Sequence, residues 1–270
     1  MNNFFTRTLS GLLFISIIVG SILVDSIVFA FVFTAITGWS VFEFHKLTNQ
    51  QESVSVTPMF GIIGGVILFI TSFLYASGFV HYLIYSVYGM YVVGVLVSEL
   101  FLKKVNPLHN WAYFVTGQLF IALPFSLLNY IMFINNEQPY ILLALFATIW
   151  INDTGAYLVG VTFGKHRLFE RISPKKSWEG FFGGAVFALI SGYVFSLLIP
   201  EISLINWLIF SEIVVIFGTF GDLAESLIKR TVHVKDSGTA IPGHGGLLDR
   251  FDSMLLAAPV VFIYLSFLFN

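Results

Sequence analysis

The residues best able to do chemistry in this chain crowd into two polar stretches set between long apolar runs. The richer one is "FGDLAESLIKRTVHVKDSGTAIPGHGGLLDRFD", Phe220 to Asp252. At 3.6 residues per turn, Asp222, Glu225, Ser226 and Lys229 fall on one helix face. Gly218 and Gly221 beside them leave room for a second backbone or a ligand. Asp249 and Asp252, spaced i, i+3 at the expected start of another helix, share a face as well. One acid there would simply complement the helix dipole. Two of them, around Arg250 and behind a glycine-rich loop, suit a hard cation: magnesium takes one or two carboxylates and shares its other positions with water and phosphate. Packing of the two helices as a hairpin would bring Asp222, Asp249 and Asp252 together. Glu225 with Lys229 reads equally well as a plain ion pair.

The loop between those helices supplies groups for holding phosphate. Gly243, Gly245 and Gly246 let backbone amides face an anion, Lys235 neutralises phosphate charge, and His244 can donate to a phosphate oxygen. "GHGG" is not a dinucleotide fingerprint, and "GVTFGKH" (160–166) is not a P-loop, being one residue short and lacking Ser or Thr after the lysine. The second polar stretch, "RISPKKSWEG" (171–180), puts Lys175, Lys176 and Ser177 just ahead of a helix N-terminus, a natural phosphate site. The same lysines would also serve membrane topology or attraction to anionic headgroups. Upstream, "WINDTGAY" places Asn152 and Asp153 inside an apolar segment, where Asp153 either binds a cation or ties down a loop. His81 and Glu212 read as packing or interfacial groups.

Composition dictates what must position these residues. Of 270 residues, 57% are hydrophobic and 10% charged, and the mean hydropathy is +0.89; soluble domains carry roughly a quarter charged residues. A bilayer core is crossed by about 20 apolar residues. The chain is therefore expected to be an all-α polytopic membrane protein with about nine spans, near 8–24, 26–44, 59–77, 79–101, 112–134, 139–161, 180–199, 203–229 and 251–268. The first span has no small-residue cleavage site after it and reads as a retained helix. This arrangement puts all 13 Lys and Arg residues on one side, which the positive-inside rule makes cytosolic. Intramembrane carboxylates cost about 2.5–3.5 kcal/mol on insertion scales, so the acids near the helix ends need a reason. With no cysteine, disulfides, iron–sulfur clusters and thiol catalysis are excluded. The chain is read as one membrane domain, 1–270. Residues 1–140 carry no motif, and residues 141–270 form a catalytic half with cytosolic loops 162–179 and 230–250.

From Ser226 to Asp252 the chain resembles the signature of the phosphatidate cytidylyltransferases, also called CDP-diacylglycerol synthases. The matching positions are Ser226, Lys229, Arg230, Lys235, Asp236, Gly238, Pro242, His244, Gly245, Gly246, Asp249, Arg250 and Asp252. "NDTGAY" and "SPKKSWEG" (with Ser173) are similar to the family's upstream elements, so the resemblance spans about residues 150–253. It implies transfer of the cytidylyl group of CTP to phosphatidate, releasing pyrophosphate, with magnesium required and the number and identity of further cations left open. Asp222, Asp249 and Asp252 would hold the metal. Lys229, Arg230, Lys235 and His244 are expected to act with them in catalysis. Asp153, Ser173, Lys175, Lys176, Ser177, Ser226, Asp236, Gly245, Gly246 and Arg250 are expected to bind substrate. The resemblance further implies a bacterial plasma (inner) membrane enzyme, no nucleic-acid partner, and a homodimer, for which Gly64–Gly65 and Gly183–Gly184 would allow close helix packing. Two rivals stand beside it: a CTP-dependent kinase of polyprenol or phytol type, which would release CDP, and a membrane transporter.

Overall fold

The structure is a computed structural model that describes residues 3–134, 139–241 and 245–269, with side chains from residue 8 onward. Its helices are α1 (Asn3–Val24), α2 (Ser26–Thr48), α3 (Pro58–Ala76), α4 (Tyr85–Ser98), α5 (Pro107–Thr116), α6 (Leu123–Phe133), α7 (Tyr140–Phe163), α8 (Trp178–Leu198), α9 (Leu204–Thr231) and α10 (Asp252–Phe269). Helix is the form an apolar chain must take where lipid offers no hydrogen bonds to the backbone. The starts follow local chemistry. Asp25 accepts the amide of Ile27 at 2.7 Å, Ser177 that of Gly180 at 3.1 Å, and prolines open α3 and α5, where their missing N–H costs nothing.

Among the described residues, seven helices are long and apolar enough to cross a membrane, and Thr8–Val24 and Tyr82–Ser98 are shorter apolar helices. The expected nine spans are thus seven by length and composition, with two short helices in the remaining positions. One span is longer than expected and not uniform: α5 and α6 join through a π-helical stretch, Gly117–Ala122, into a segment Pro107–Phe133. Pro124 follows that stretch, and a proline inside a helix lacks its N–H and crowds the preceding turn; a widened turn is one way to absorb it. Loop 162–179 contains a small antiparallel hairpin of β1 (Arg167–Phe169) and β2 (Ser173–Ser177). The Glu179 carboxylate accepts the amides of Lys165 and His166 at 3.1 and 3.2 Å and pins the hairpin to the start of α8.

Helix α7 packs on α8, α8 on α9, and α9 on α10, while α2, α3, α6 and α10 form the adjoining region of the bundle. Phe251 is the pivot between them. It is 2% exposed, and its ring meets Phe14, Phe33, Phe125 and Phe146 at centroid distances of 5.0–6.3 Å. Large apolar side chains such as Phe31, Val161, Leu197 and Phe267 face outward, as expected where the surrounding solvent is hydrocarbon. The glycine pairs are used within the chain. A Cβ at Gly64 would meet Gln118, one at Gly65 would meet Val41, and those at Gly183 and Gly184 would collide with Val159 and Asn152 of α7. They give close packing inside one copy and no argument for a second copy. Two of the loops expected on the basic side are in contact, since Lys104 Nζ donates to Ser55 O at 2.6 Å.

Candidate active site

The crossing of α9 and α10 builds the centre of the site. A Cβ at Gly221 would run into the carbonyl oxygen of Asp252 and sit 3.1 Å from that of Ser253, so only glycine lets the two backbones approach this closely. That contact sets Asp222, the next residue, beside Asp252, the first residue of α10. The room expected at Gly221 is filled by a backbone. Gly221→Ala is expected to destabilise the protein by about 1–3 kcal/mol through overpacking, read by thermal unfolding in detergent, and to lower activity by displacing Asp252.

Asp153 from α7 completes the group. It lies within electrostatic reach of Asp222, Lys176 and Arg250, and Asp252 within reach of both Asp153 and Asp222. The ligands of these carboxylates within the protein are few. Asp222 pairs with Lys176 Nζ at 2.7 Å and accepts from Ser226 Oγ at 3.1 Å. Asp252 accepts the amide of Ser253 at 2.6 Å, and Asp153 has Asn152 Nδ2 at 3.4 Å.

Asp249 has different surroundings. It lies in a single tight turn, Leu248–Arg250, separated from α10 by Phe251, whose dihedrals are non-helical. One continuous helix therefore does not carry both Asp249 and Asp252. The Asp249 carboxylate accepts from Lys229 Nζ at 2.7 Å, from the amide of Ser237 at 3.0 Å and from that of Gly246 at 2.8 Å. Burial pushes this carboxyl up, but the hydrogen bond and charge of Lys229 together with the two amides outweigh it and hold it below the usual carboxylate range. Lys229, 7% exposed, is shared between Asp249 and Glu225. Glu225 and Lys229 do form the expected ion pair, and Lys229 extends it to Asp249.

Two cavities flank Asp153. One, of about 420 Å³, lies between α7, α8 and the hairpin and is lined by Asp153, Lys175, Lys176, Ser177, Thr219 and Ser253 among others. The other, of about 350 Å³, brings Arg250, Asp249 and Asp252 against Ser10, Phe14 and Trp150. Of the expected phosphate binders, Lys176 reaches the carboxylate centre and Lys175 lines the cavity beside it. The Ser177 hydroxyl caps α8, and Ser173 lies in β2 opposite Phe169. Arg230 is exposed and donates to Val234 O at 2.7 Å, closing the end of α9. Lys235 and Asp236 are exposed on the loop surface. Gly245, at φ +90°, is in the left-handed region natural to glycine, and Gly246 gives its amide to Asp249. His244, with Pro242 and Gly243, lies outside the described residues.

Glu43 of α2 has no counterpart among the residues the sequence singles out. It is 3% exposed and accepts from Leu248 N at 2.8 Å, Ser237 Oγ at 3.3 Å and Trp39 Nε1 at 3.1 Å. The available signal was a lone acid in an apolar segment, "GWSVFEFHKL", which by cost alone needs an explanation.

Among the described residues, no group of three or more His, Asp or Glu side chains is placed to hold a metal ion by itself. The charges nevertheless suit a cation. Asp153, Asp222, Glu225, Asp249 and Asp252 interact with one another and with Lys176, Lys229 and Arg250. Five carboxyl groups there face three basic side chains.

Fold and site together define a helical membrane protein with a carboxylate-and-lysine centre suited to phosphate chemistry at one polar end of the bundle. The family model described as "Cytidylyltransferase family" matches residues 5–268. The phosphatidate cytidylyltransferase of Bacillus subtilis (strain 168) is 33% identical over 274 residues, covering 96% of this chain and 97% of that protein. The phosphatidate cytidylyltransferase of Staphylococcus saprophyticus is 48% identical over 127 residues, 47% of this chain and 48% of that one. That of Haemophilus influenzae is 42% identical over 125 residues, 44% of this chain and 43% of its own. The chain belongs to the cytidylyltransferase family.

Proposed function

We propose that this protein transfers the cytidylyl group of CTP to phosphatidate, yielding CDP-diacylglycerol and pyrophosphate, at the cytosolic face of a bacterial plasma membrane. The observation that carries the reading is that Asp153 lines one cavity with Lys175 and Lys176, while Asp222 pairs with Lys176 and Asp252 lies within electrostatic reach of both acids, in a chain of this family. Phosphatidate brings its own nucleophile, a phosphate oxygen, which attacks the α-phosphorus of CTP. The bond from that phosphorus to the bridging oxygen breaks, and pyrophosphate leaves with the electron pair. No protein nucleophile is required. The protein must bring two polyanions together and offset the charge that develops on the leaving group, a task of positioning and electrostatics.

Lys175 and Lys176 suit the triphosphate, with Lys176 exchanging Asp222 for a phosphate oxygen as the nucleotide enters. Arg250, in the second cavity, suits the lipid phosphate. Phosphatidate keeps its tails in the bilayer while its headgroup reaches the carboxylate centre. Asp222 and Asp252, with Asp153 beside them, would hold magnesium, an open arrangement that leaves positions for phosphate and water. Held by these carboxylates, the ion would supply positive charge to offset the phosphates and the leaving group. Asp249, engaged by Lys229 and two amides, serves this centre by fixing the loop and Lys229.

The test is direct. Protein purified in detergent and given phosphatidate, CTP and magnesium should release pyrophosphate and form CDP-diacylglycerol, and chelation of the metal should stop both. Release of CDP with a phosphorylated alcohol would point instead to a kinase of the polyprenol or phytol type. No turnover of CTP with either acceptor would remove the enzymatic reading.

A further inference from the structure

Glu43 stands in the half of the chain that offers no sequence motif, yet it holds the loop that carries the signature. Its Oε2 takes the Leu248 amide and the Ser237 hydroxyl, one from each arm of the loop, and Oε1 takes the Trp39 indole N–H. No cation is among its described partners. The same short loop gives the amides of Ser237 and Gly246 to Asp249, so two carboxylates grip it from opposite sides. The fit leaves no slack. A Cβ at Gly238 would lie 2.5 Å from Glu43 Oε1, and one at Gly246 would lie 2.6 Å from Oε2. Burying an acid is costly unless hydrogen bonds satisfy it, and bonds to an ionised acceptor are roughly twice as strong as neutral ones. An anchor of this kind in an apolar helix is expensive for a spacer and well suited to fixing a loop.

We propose that Glu43 is a positioning residue for the reaction. It clamps the Ser237 and Leu248 ends of the loop to α2, and thereby sets Asp249, Lys229 and the start of α10, on which Asp252 stands. The choice of kinetic assay rests on the cytidylyl-transfer reading; the clamp itself does not.

The experiment compares the parent chain with Glu43→Gln, Glu43→Asp, Gly238→Ala, the Glu43→Asp/Gly238→Ala pair, and Ser40→Ala, a buried position one turn earlier on the same helix. Glu43→Gln keeps the shape but turns one acceptor oxygen into a donor facing donors. It is expected to lower kcat about 10–100-fold, as loss of an outer-shell partner does, with KM for CTP changed less than about threefold and a thermal midpoint close to that of the parent. Hydrogen exchange at the Leu248 and Ser237 amides should quicken. Ser40→Ala should leave kcat unchanged. Gly238→Ala should slow turnover, and the shorter acid of Glu43→Asp should restore some of it in the pair. A Glu43→Gln protein with parental kcat and a lower midpoint would overturn the proposal, as would Ser40→Ala slowing turnover equally. If the parent makes no CDP-diacylglycerol, the functional reading fails while the exchange measurement still decides the clamp: unchanged exchange at Leu248 and Ser237 overturns it.

Discussion

Asp252→Asn is expected to lose at least about a hundredfold in turnover, the scale of removing one electrostatic partner from a transition state, and to unfold at a higher temperature than the parent chain. The two effects share one cause. Asp252 sits within reach of Asp153 and Asp222, and the only hydrogen bond described for its carboxylate comes from the neighbouring Ser253 amide. In the absence of metal and substrate, the three acids repel one another in a poorly solvated pocket, while Asn keeps the shape and removes one charge. A gain of about 1 kcal/mol would raise the midpoint by about 2–4 °C for a chain of 150–250 residues. In the proposed reaction the same charge would hold magnesium against the triphosphate. Added magnesium should therefore raise the parent's midpoint more than the variant's, because a ligand stabilises only the state that binds it. Asp222→Asn should behave alike in turnover, with a smaller gain in stability because it also abandons Lys176. Full activity in Asp252→Asn, or equal shifts with magnesium in both proteins, would remove Asp252 from the metal site.

What could be read in the sequence was whatever local spacing controls. Hydropathy located the helices to within a few residues, and "FGDLAESLIKR" announced Asp222 and its glycine neighbour before any helix crossing was seen. Asp153 was legible as an acid in an apolar segment. Spacing failed where the chain leaves regular geometry. The i, i+3 relation of Asp249 and Asp252 assumes one continuous helix, and Phe251 breaks it, turning one acid to Lys229 and leaving the other with Asp222. Arg230, similar to its neighbour Lys229 in charge and position, points along the helix end instead of into the bundle. Glu43 was invisible for another reason. Its partners Ser237 and Leu248 lie some two hundred residues away, and no periodicity in "GWSVFEFHKL" encodes a contact at that separation. The hairpin at Arg167–Phe169 is short, and lysines are poor strand formers; it is held by Glu179 and not by propensity.

Lys229→Met should be the most damaging substitution for stability, costing about 3–5 kcal/mol, the range for removing one partner of a buried ion pair. Met keeps the apolar stem and its packing, so the loss isolates the charge. Lys229 joins two carboxylates that approach it from different elements, Glu225 one turn back on α9 and Asp249 on the loop. Without it they face each other unshielded. Their fates differ. Asp249 retains the amides of Ser237 and Gly246, whereas Glu225 has no hydrogen-bond partner besides Lys229 among the described residues. Adding Glu225→Gln to Lys229→Met should therefore recover much of the lost stability, a coupling that two independent substitutions would not show. Acid separates the variants further. In the parent, Asp249 is held below its ordinary value, so its contribution is complete above the unfolded value of about 3.9 and is lost as pH falls through the lower folded one. In Lys229→Met, burial acts on Asp249 with its main opponent gone, which moves the carboxyl upward. Mild acidification then neutralises a charge the folded state disfavours, and stability rises as pH falls. Thermal midpoints should stay level for the parent from pH 7 to about pH 4, where the Asp249 contribution is still complete, and climb for Lys229→Met over the same range; only below about pH 4 should the parent lose this contribution. Parallel curves for the two proteins would mean that Lys229 does not set the ionisation of Asp249.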